Sequence, residues 1–521
     1  MLIVHNLSLP LETDFSDLKP FVAKALGISE NAFKTVQLYK KSVDARRREQ
    51  LHFCCSVLLE AEREEKLARR ISAQVLGPYT YVFEKATKKP EHRPVVVGFG
   101  PAGMFAALTL AEAGLCPVVL ERGADMDRRT AAVESFFAGG KLNRETNVQF
   151  GEGGAGTFSD GKLNSGIKDK RCRAVLETFV RFGAPAEILT DAKPHIGSDL
   201  LKSVVKNLRE HIRSLGGEIC FETRVDDFCI RNGSLTGVTV NGETLACDRA
   251  VLATGHSARD TFSALKEREI VLCRKPFAMG VRVEHLQANI NRALYGKFAE
   301  HPALAAADYK LSVHLPDGNG VYTFCMCPGG SVINASSEPD GIAVNGMSLS
   351  RRDGTNANSA LLVGVPPEFP AGDDVLAGCR LQREIEENAY KTAGGKVPVT
   401  TVGAFLNGGA ATFGRVKPTV LPSVTEADFS KIFPPYILSA LKQGLPMLGK
   451  KLAGFDDAEA VLTAPETRSS SPVRVIRGDN LQSLSVAGLY PCGEGAGYAG
   501  GILSSAVDGI RCAEAIVWYY R

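Results

Sequence analysis

The chain has no apolar run approaching the roughly 20 residues needed to span a bilayer, so no membrane span is expected. Its opening, Met1-Leu-Ile-Val-His-Asn, has neither a basic segment nor a signal-like apolar core, and the expected location is the cytoplasm. Charge of one sign is scarce: 61 Lys and Arg against 58 Asp and Glu leave a net +3, too little to argue for a nucleic-acid or membrane-surface partner. The 13 cysteines are odd in number and irregularly spaced, which fits reduced thiols rather than a disulfide framework. No two close ligand doublets stand in zinc-type spacing, so no metal site is expected. Internal repeats and low-complexity tracts are also missing.

The chain has 521 residues, 44% hydrophobic and 23% charged, an ordinary globular composition too long for a single core. Residues 1–88 read as a small α+β unit of βαββαβ, ferredoxin-like type. It has strands at Leu2-Ile-Val, Thr35 to Tyr39 and His52 to Leu59, and a last strand from Tyr79 to Phe83. Its helices run from Asp17 to Leu26, with Ser16 as N-cap, and from Glu60 to Val75. The polar stretch Lys85 to Pro94 reads as a linker. A nucleotide-binding unit follows over 95–269, with hairpin turns at Asn232-Gly233 and Asn241-Gly242. Residues 270–465 change to strands with Gly/Pro-rich loops, an inserted α+β substrate domain, and 466–521 return to the nucleotide fold. The fold class is therefore α/β, Rossmann-like, with an insertion and a small N-terminal domain.

Four glycine-rich pieces carry the chemistry. The apolar strand at Val95 leads into Gly98-x-Gly100-Pro101-Ala102-Gly103, which opens a helix. The glycines allow a tight turn and close backbone approach to a pyrophosphate at the helix N-terminus. Glu121 ends the next strand, where its carboxylate can accept from a ribose diol and disfavours a 2′-phosphate. Almost 400 residues later, Cys492-Gly493-Glu494 leads through Gly497 and Gly500-Gly501 into a helix at Ile502. An acid at 494 suits the ribityl chain of a flavin, and the helix N-terminus suits the negative charge of the reduced ring. Ala253-Thr254-Gly255 ends a buried strand between them. The loop Gln149 to Lys162 holds five glycines interleaved with Phe150 and Phe158, which points to ordered backbone against a flat ligand or phosphate. Together these read as one split FAD site. The residues expected against the cofactor are Gly98, Gly100, Pro101, Ala102, Gly103, Glu121, Arg122, Gly153, Gly154, Gly156, Thr157, Ser159, Lys162, Val225, Ala253, Thr254, Gly255, Gly493, Glu494, Gly500, Gly501 and Ile502.

On these segments the chain resembles the uncharacterised FAD-dependent dehydrogenases, within the FAD/NAD(P)-binding superfamily related to glutathione reductase. The resemblance is carried by Val97 to Met104, Glu152 to Leu163, Ala253 to Asp260, Phe324 to Gly330, Asn345 to Ser348, Glu466 to Pro472, Tyr490 to Gly501 and Lys41 to Arg46. It implies FAD binding and a substrate domain inserted into the nucleotide fold, and it names no substrate.

Candidates for chemistry beyond the cofactor are Cys325, Cys327, His256 and Arg468. Cys325-Met-Cys327 reads as a redox dithiol or a pocket thiol, or else as two small buried hydrophobes in a strand. His256 and Arg259 follow the Ala-Thr-Gly turn near the expected cofactor, or form a surface turn capping a helix at Asp260. Glu466, Arg468 and Arg474 could hold a carboxylate or phosphate, or form an ion-pair network at the domain junction. His195 could donate a proton.

Only one Gly-x-Gly-x-x-Gly stands between strand and helix, so a second nicotinamide domain is not evident. No Cys-x-x-x-x-Cys follows the first motif. The expected function is an FAD-dependent oxidoreductase acting on an organic small molecule, with NAD(P)H as a transient donor. The alternatives are a flavin-dependent RNA-modifying enzyme, from the basic stretch Lys40 to Arg48, or a non-catalytic flavin-binding redox sensor. Oligomeric state is left open.

Overall fold

Alternating apolar residues build the first unit around Leu2–Leu9, whose residues Leu2, Val4, Leu7 and Leu9 are buried. This computed structural model describes residues 1–77 and 80–521. Leu2–Leu9 lies between His52–Glu60 and Gln74–Val75, with Thr35–Asp44 on the outer edge, all antiparallel. The helices Lys19–Leu26 and Glu64–Ile71 belong to the same unit.

Three expectations change here. Ser16 is not the cap: its N–H and hydroxyl both bond the Asp14 carboxylate, and the helix starts at Lys19. The second helix stops at Ile71, where Ser72 turns left-handed at φ 51°. The chain therefore turns back early, and Gln74–Val75 closes the sheet against Leu2 and Ile3. For the expected strand over 79–83, Tyr79 lies outside the described residues and 80–83 form no strand. Tyr81 and Phe83 instead pack against the core around the C-terminal helix, where the Tyr81 hydroxyl donates to Glu514 at 2.7 Å.

The nucleotide unit is a five-stranded parallel sheet in the order Leu489–Pro491, Ala250–Leu252, Val95–Val97, Val118–Leu120, Glu218–Cys220. The central strands are buried and wholly apolar, as a sheet covered on both faces requires. The helix Pro101–Glu112 is buried on nearly every side, and the C-terminal helix Ile502–Tyr519 packs across it. A three-stranded hairpin sheet, Val225–Arg231, Ser234–Val240 and Glu243–Ala246, has Asn-Gly turns with positive φ at both residues, as tight two-residue hairpins need.

The larger sheet has seven strands in the order Ser312–His314, Gly320–Cys327, Asn356–Val365, Phe277–Leu286, Val461–Glu466, Val397–Thr401, Val424–Glu426. Along Phe277–Leu286, Met279, Val281 and Val283 join the main core of this layer. The alternate residues Ala278, Gly280, Arg282 and Glu284 fall on the other side by the two-residue period of a strand. There Ala278 clusters with Ala360, Leu362 and Tyr322, and Arg282 and Glu284 meet Asn358 and Asn356. A two-stranded ribbon, Leu272–Arg274 with Val473–Val475, joins the two layers. Among the described residues no helix is long and apolar enough to cross a membrane.

Candidate functional site

The central strand Val95–Val97 ends at Gly98, which sits at φ 98°, where a Cβ would lie 2.8 Å from the Ala253 carbonyl oxygen. A Cβ on Gly103 would lie 1.9 Å from the Gly98 oxygen, so only glycine allows this turn to close. The helix that follows is capped by Gly100, with no side-chain cap and no acid in its first turn. Its first N–H groups and positive dipole end are therefore available to an anion at the carboxyl ends of the strands. Glu121 is buried and already accepts three backbone N–H groups, from Phe99 at 2.7 Å, Gly123 at 2.9 Å and Gly151 at 3.0 Å. A carboxylate offers about four acceptor positions. One remains, so the expected grip on a ribose diol narrows to a single hydroxyl.

The loop over residues 149–162 is ordered from beneath. Arg129, fully buried, donates to the carbonyls of Asn147, Val148, Gly151 and Glu152. Glu152, also fully buried, accepts from Arg209 at 2.7 Å and from the Met126 N–H at 2.6 Å. So held, the loop lies on the first motif: a Cβ on Gly154 would be 2.9 Å from the Gly100 Cα, and one on Gly156 3.0 Å from Ile502. The Thr157 hydroxyl is buried over Gly153 and has no partner. Ser159 and Lys162 are turned to other work, because Ser159 donates to the Gly156 carbonyl and Lys162 to that of Met326.

The second motif meets the first through its helix. A Cβ on Gly509 would lie 2.1 Å from the Ala102 oxygen, and one on Gly493 2.8 Å from the Ala102 Cβ. The Ala253-Thr254-Gly255 turn presses on the same segment, since a Cβ on Gly495 would meet the Thr254 oxygen at 1.8 Å. The helix from Ile502 is capped by Gly501, again without a side-chain cap or an acid in the first turn. Gly500 precedes it with open space where a Cβ would stand. Glu494 faces His256, with Nε2 3.7 Å from its carboxylate. Burial pushes the Glu494 carboxyl up to about 7. His256 is pushed down to about 3, by burial first and then by Arg468 and Arg259, so it stays neutral with a buried, unpartnered Nδ1.

On the facing sheet, the pairing of Gly320–Cys327 with Asn356–Val365 slips between Phe324 and Cys327, and Cys325 takes φ 42°. Arg282, fully buried, donates to the Cys325 carbonyl at 2.8 Å, contacts the Cys327 sulfur at 3.7 Å and pairs with Glu466 at 3.3 Å. Burial pushes Glu466 up to about 7 against the pull of Arg282.

The remaining candidates are drawn into other contacts. Arg468 is taken up by Glu386, Glu338 and Ser337, and Arg259 by Glu386, Glu338 and Gln382, so neither guanidinium faces an open anion site. Although burial pushes the other way, these two arginines hold the Glu386 carboxyl well below the usual range. Arg474 donates to the Gly497 carbonyl and lies over the Tyr498 ring. Arg122 is shared between Glu145 and Asp260 and lies over Phe150; Asp260 therefore does not cap the helix Arg259–Glu267. His195 contacts the Ser350 carbonyl, and Val225 pairs with Val240 in the hairpin sheet. Cys492, Asp508 and Cys512 gather within 4.8 Å, but the Arg477 guanidinium already fills that space.

Sequence reasoning passed over Arg129 and Arg282. Arg282 and Glu284 alternate within the otherwise mostly apolar strand Phe277–Leu286, a pattern that marks buried polar contacts. Arg129 leaves no comparable signal, being one charge on an ordinary amphipathic helix.

Uncapped helix starts, Cβ-forbidding glycines and an orphaned hydroxyl all fit an extended dinucleotide laid across both motifs. Comparisons with known proteins identify the family. Residues 92–275 match the family described as pyridine nucleotide-disulphide oxidoreductase, and 276–469 match FAD-dependent protein, C-terminal domain-like. Residues 1–60 match a domain of unknown function. An uncharacterised protein of Clostridium beijerinckii is 45% identical, with 99% of this chain and 98% of that one covered. Among solved structures, a flavin-dependent brominase aligns at 13% identity over 82% of this chain and 79% of its own, with TM-score 0.38. A glycine oxidase from Bacillus cereus aligns at 12% identity over 83% and 96%, with TM-score 0.31.

Proposed function

The chain belongs to the family of uncharacterised FAD-dependent dehydrogenases, and from that membership we propose that it moves a hydride between FAD and an organic substrate, with NAD(P)H as a transient donor. FAD, when bound, supplies reversible two-electron chemistry. The observation that carries the reading is the contact of the two motif helices at Gly509 and Ala102, which joins two distant glycine segments into one cradle.

In this reading the first turn of Pro101–Glu112 holds the pyrophosphate and Glu121 one ribose hydroxyl. Thr157 and the loop over 153–156 close on the same stretch of ligand. Glu494 and His256 lie by the ribityl chain: Glu494 accepts or donates according to its protonation, and neutral His256 offers Nδ1. The N-terminus of Ile502–Tyr519 would stabilise the negative charge that a flavin gains on reduction. Tyr322 and Phe324, partly exposed on the facing sheet, form an apolar wall for the substrate. Arg282 and Glu466 stand behind that wall as a buried charged pair.

The test mixes purified protein anaerobically with NADH and NADPH separately and follows the visible flavin absorbance. Rapid bleaching by one identifies the donor. No bleaching by either removes nicotinamide from the proposal and leaves a dehydrogenase or oxidase that draws electrons from its own substrate.

A further inference from the structure

Cys325 and Cys327 stand at an irregularity in their strand. An ordinary strand would send residues 325 and 327 to the same face about 7 Å apart. The slip in pairing at this point places Cys325 off the ladder, in a left-handed conformation that non-glycine residues rarely adopt. The kink keeps the two residues in contact: the Cys327 sulfhydryl donates to the Cys325 carbonyl at 3.3 Å. Exposure is unequal, since Cys325 is half-buried and Cys327 fully buried. Two cations flank the bulge, Arg282 on the Cys325 carbonyl and the Cys327 sulfur, Lys162 on the carbonyl between them. Phe324, next to Cys325 in the chain, is 40% exposed.

We propose that Cys325 and Cys327 are a redox-active dithiol, with Cys325 the attacking and Cys327 the resolving thiol, and that the substrate class is a small organic disulfide. The proposal rests on the flavin reading above for its source of electrons. The Cys325 thiolate attacks one sulfur of the substrate disulfide, forming a mixed disulfide and expelling the other half as a thiolate, which takes up a proton. The Cys327 thiol gives up its proton and attacks the Cys325 sulfur, closing a Cys325–Cys327 disulfide and releasing the second half as a thiol. The substrate gains two electrons and two protons; the pair gives up the two electrons and the Cys327 proton, and solvent supplies the other proton. A disulfide spanning one residue is strained and readily reopened, which suits a relay and not a staple. The two electrons that reopen it are those of the proposed hydride transfer.

The charge distribution agrees. The partner Cys327, against the effect of burial, and then Arg282 and Lys162 pull the Cys325 thiol below the ordinary range, while Cys327 is held well above it.

The test uses reduced holoprotein and oxidised glutathione, followed by peptide mass mapping. The peptide holding both cysteines is expected to lose two hydrogens, and Cys327→Ser is expected to keep one glutathione on Cys325. Iodoacetamide should label Cys325 at pH 7 faster than the other thiols of the chain, because a larger thiolate fraction outweighs its lower intrinsic nucleophilicity. Glutathione on other cysteines with neither change at this peptide overturns the proposal. If Cys327→Ser does not fold, Cys325→Ser must abolish the hydrogen loss, and its persistence overturns the proposal equally. Exchange at the peptide in a chain that retains no FAD overturns the functional reading and leaves the dithiol standing. FAD without exchange does the reverse.

Discussion

Asp508 accepts the backbone N–H of Gly493 at 2.8 Å, so the C-terminal helix holds the turn that begins its own motif. Arg477 clamps the same carboxylate through two nitrogens at 2.7 and 2.9 Å, and both side chains are buried. Asp508→Ala leaves a buried guanidinium unpaired and an amide unsatisfied. We expect a stability loss of about 3–5 kcal/mol and early flavin release, read by denaturant titration with flavin fluorescence. Asp508→Asn keeps an acceptor for Gly493 and should lose less.

The pair Arg282–Glu466 makes a pH-dependent prediction. In Arg282→Met the Glu466 carboxyl keeps its burial and loses its cation, so its folded-state pKa rises beyond the present value of about 7. A carboxyl raised on folding binds more protons in the folded state, so its stability contribution is present at low pH and lost as pH rises. The variant's deficit should grow by about 1.4 kcal/mol between pH 5, where Glu466 is protonated in both proteins, and pH 8, one unit above the wild-type value of about 7. Equal deficits at both pH values would contradict the assignment.

Glu494 obeys the same sign. Its carboxyl moves from 4.5 in the unfolded chain to about 7 in the fold, so its contribution is full below about pH 4.5 and lost as pH rises through 7. Glu494→Gln should remove on the order of 1–3 kcal/mol of pH dependence across that window. Matched unfolding curves at pH 5 and pH 8 measure it.

His256 runs the other way. Its folded-state value of about 3 lies below 6.5, so its stabilising contribution is present above pH 6.5 and lost as pH falls toward 3. His256→Gln, neutral at every pH, should flatten the acid limb of the stability profile.

What was legible in the sequence was local. Gly98, Gly100 and Gly103 between a strand and a helix, or Gly493-Glu494 before a helix, carry their geometry in consecutive residues. The closing strand of the first unit was misplaced because Tyr81 and Phe83 look like strand residues in isolation. Only the distant Glu514 and the core around it reveal where they pack. The ion-pair alternative for Arg468 is the one the structure shows, but its partners Glu386 and Glu338, shared with Arg259, lie 70 or more residues away in sequence and could not be named from it. Arg129 escaped notice for another reason: its four carbonyl partners belong to a nearby loop that no helical pattern points to.

The central claim is that Gly98 to Gly103 and Gly493 to Gly501 form one FAD site. The direct measurement is the flavin released per chain from wild type, Gly103→Val and Gly493→Val, each confirmed folded by circular dichroism. Wild type should release one FAD per chain. Both variants should keep clearly less of it, because overpacking either turn costs about 1–3 kcal/mol where the ligand must lie, roughly five- to a hundredfold in affinity. Full flavin retention in either folded variant, or a wild type without FAD, would contradict the account.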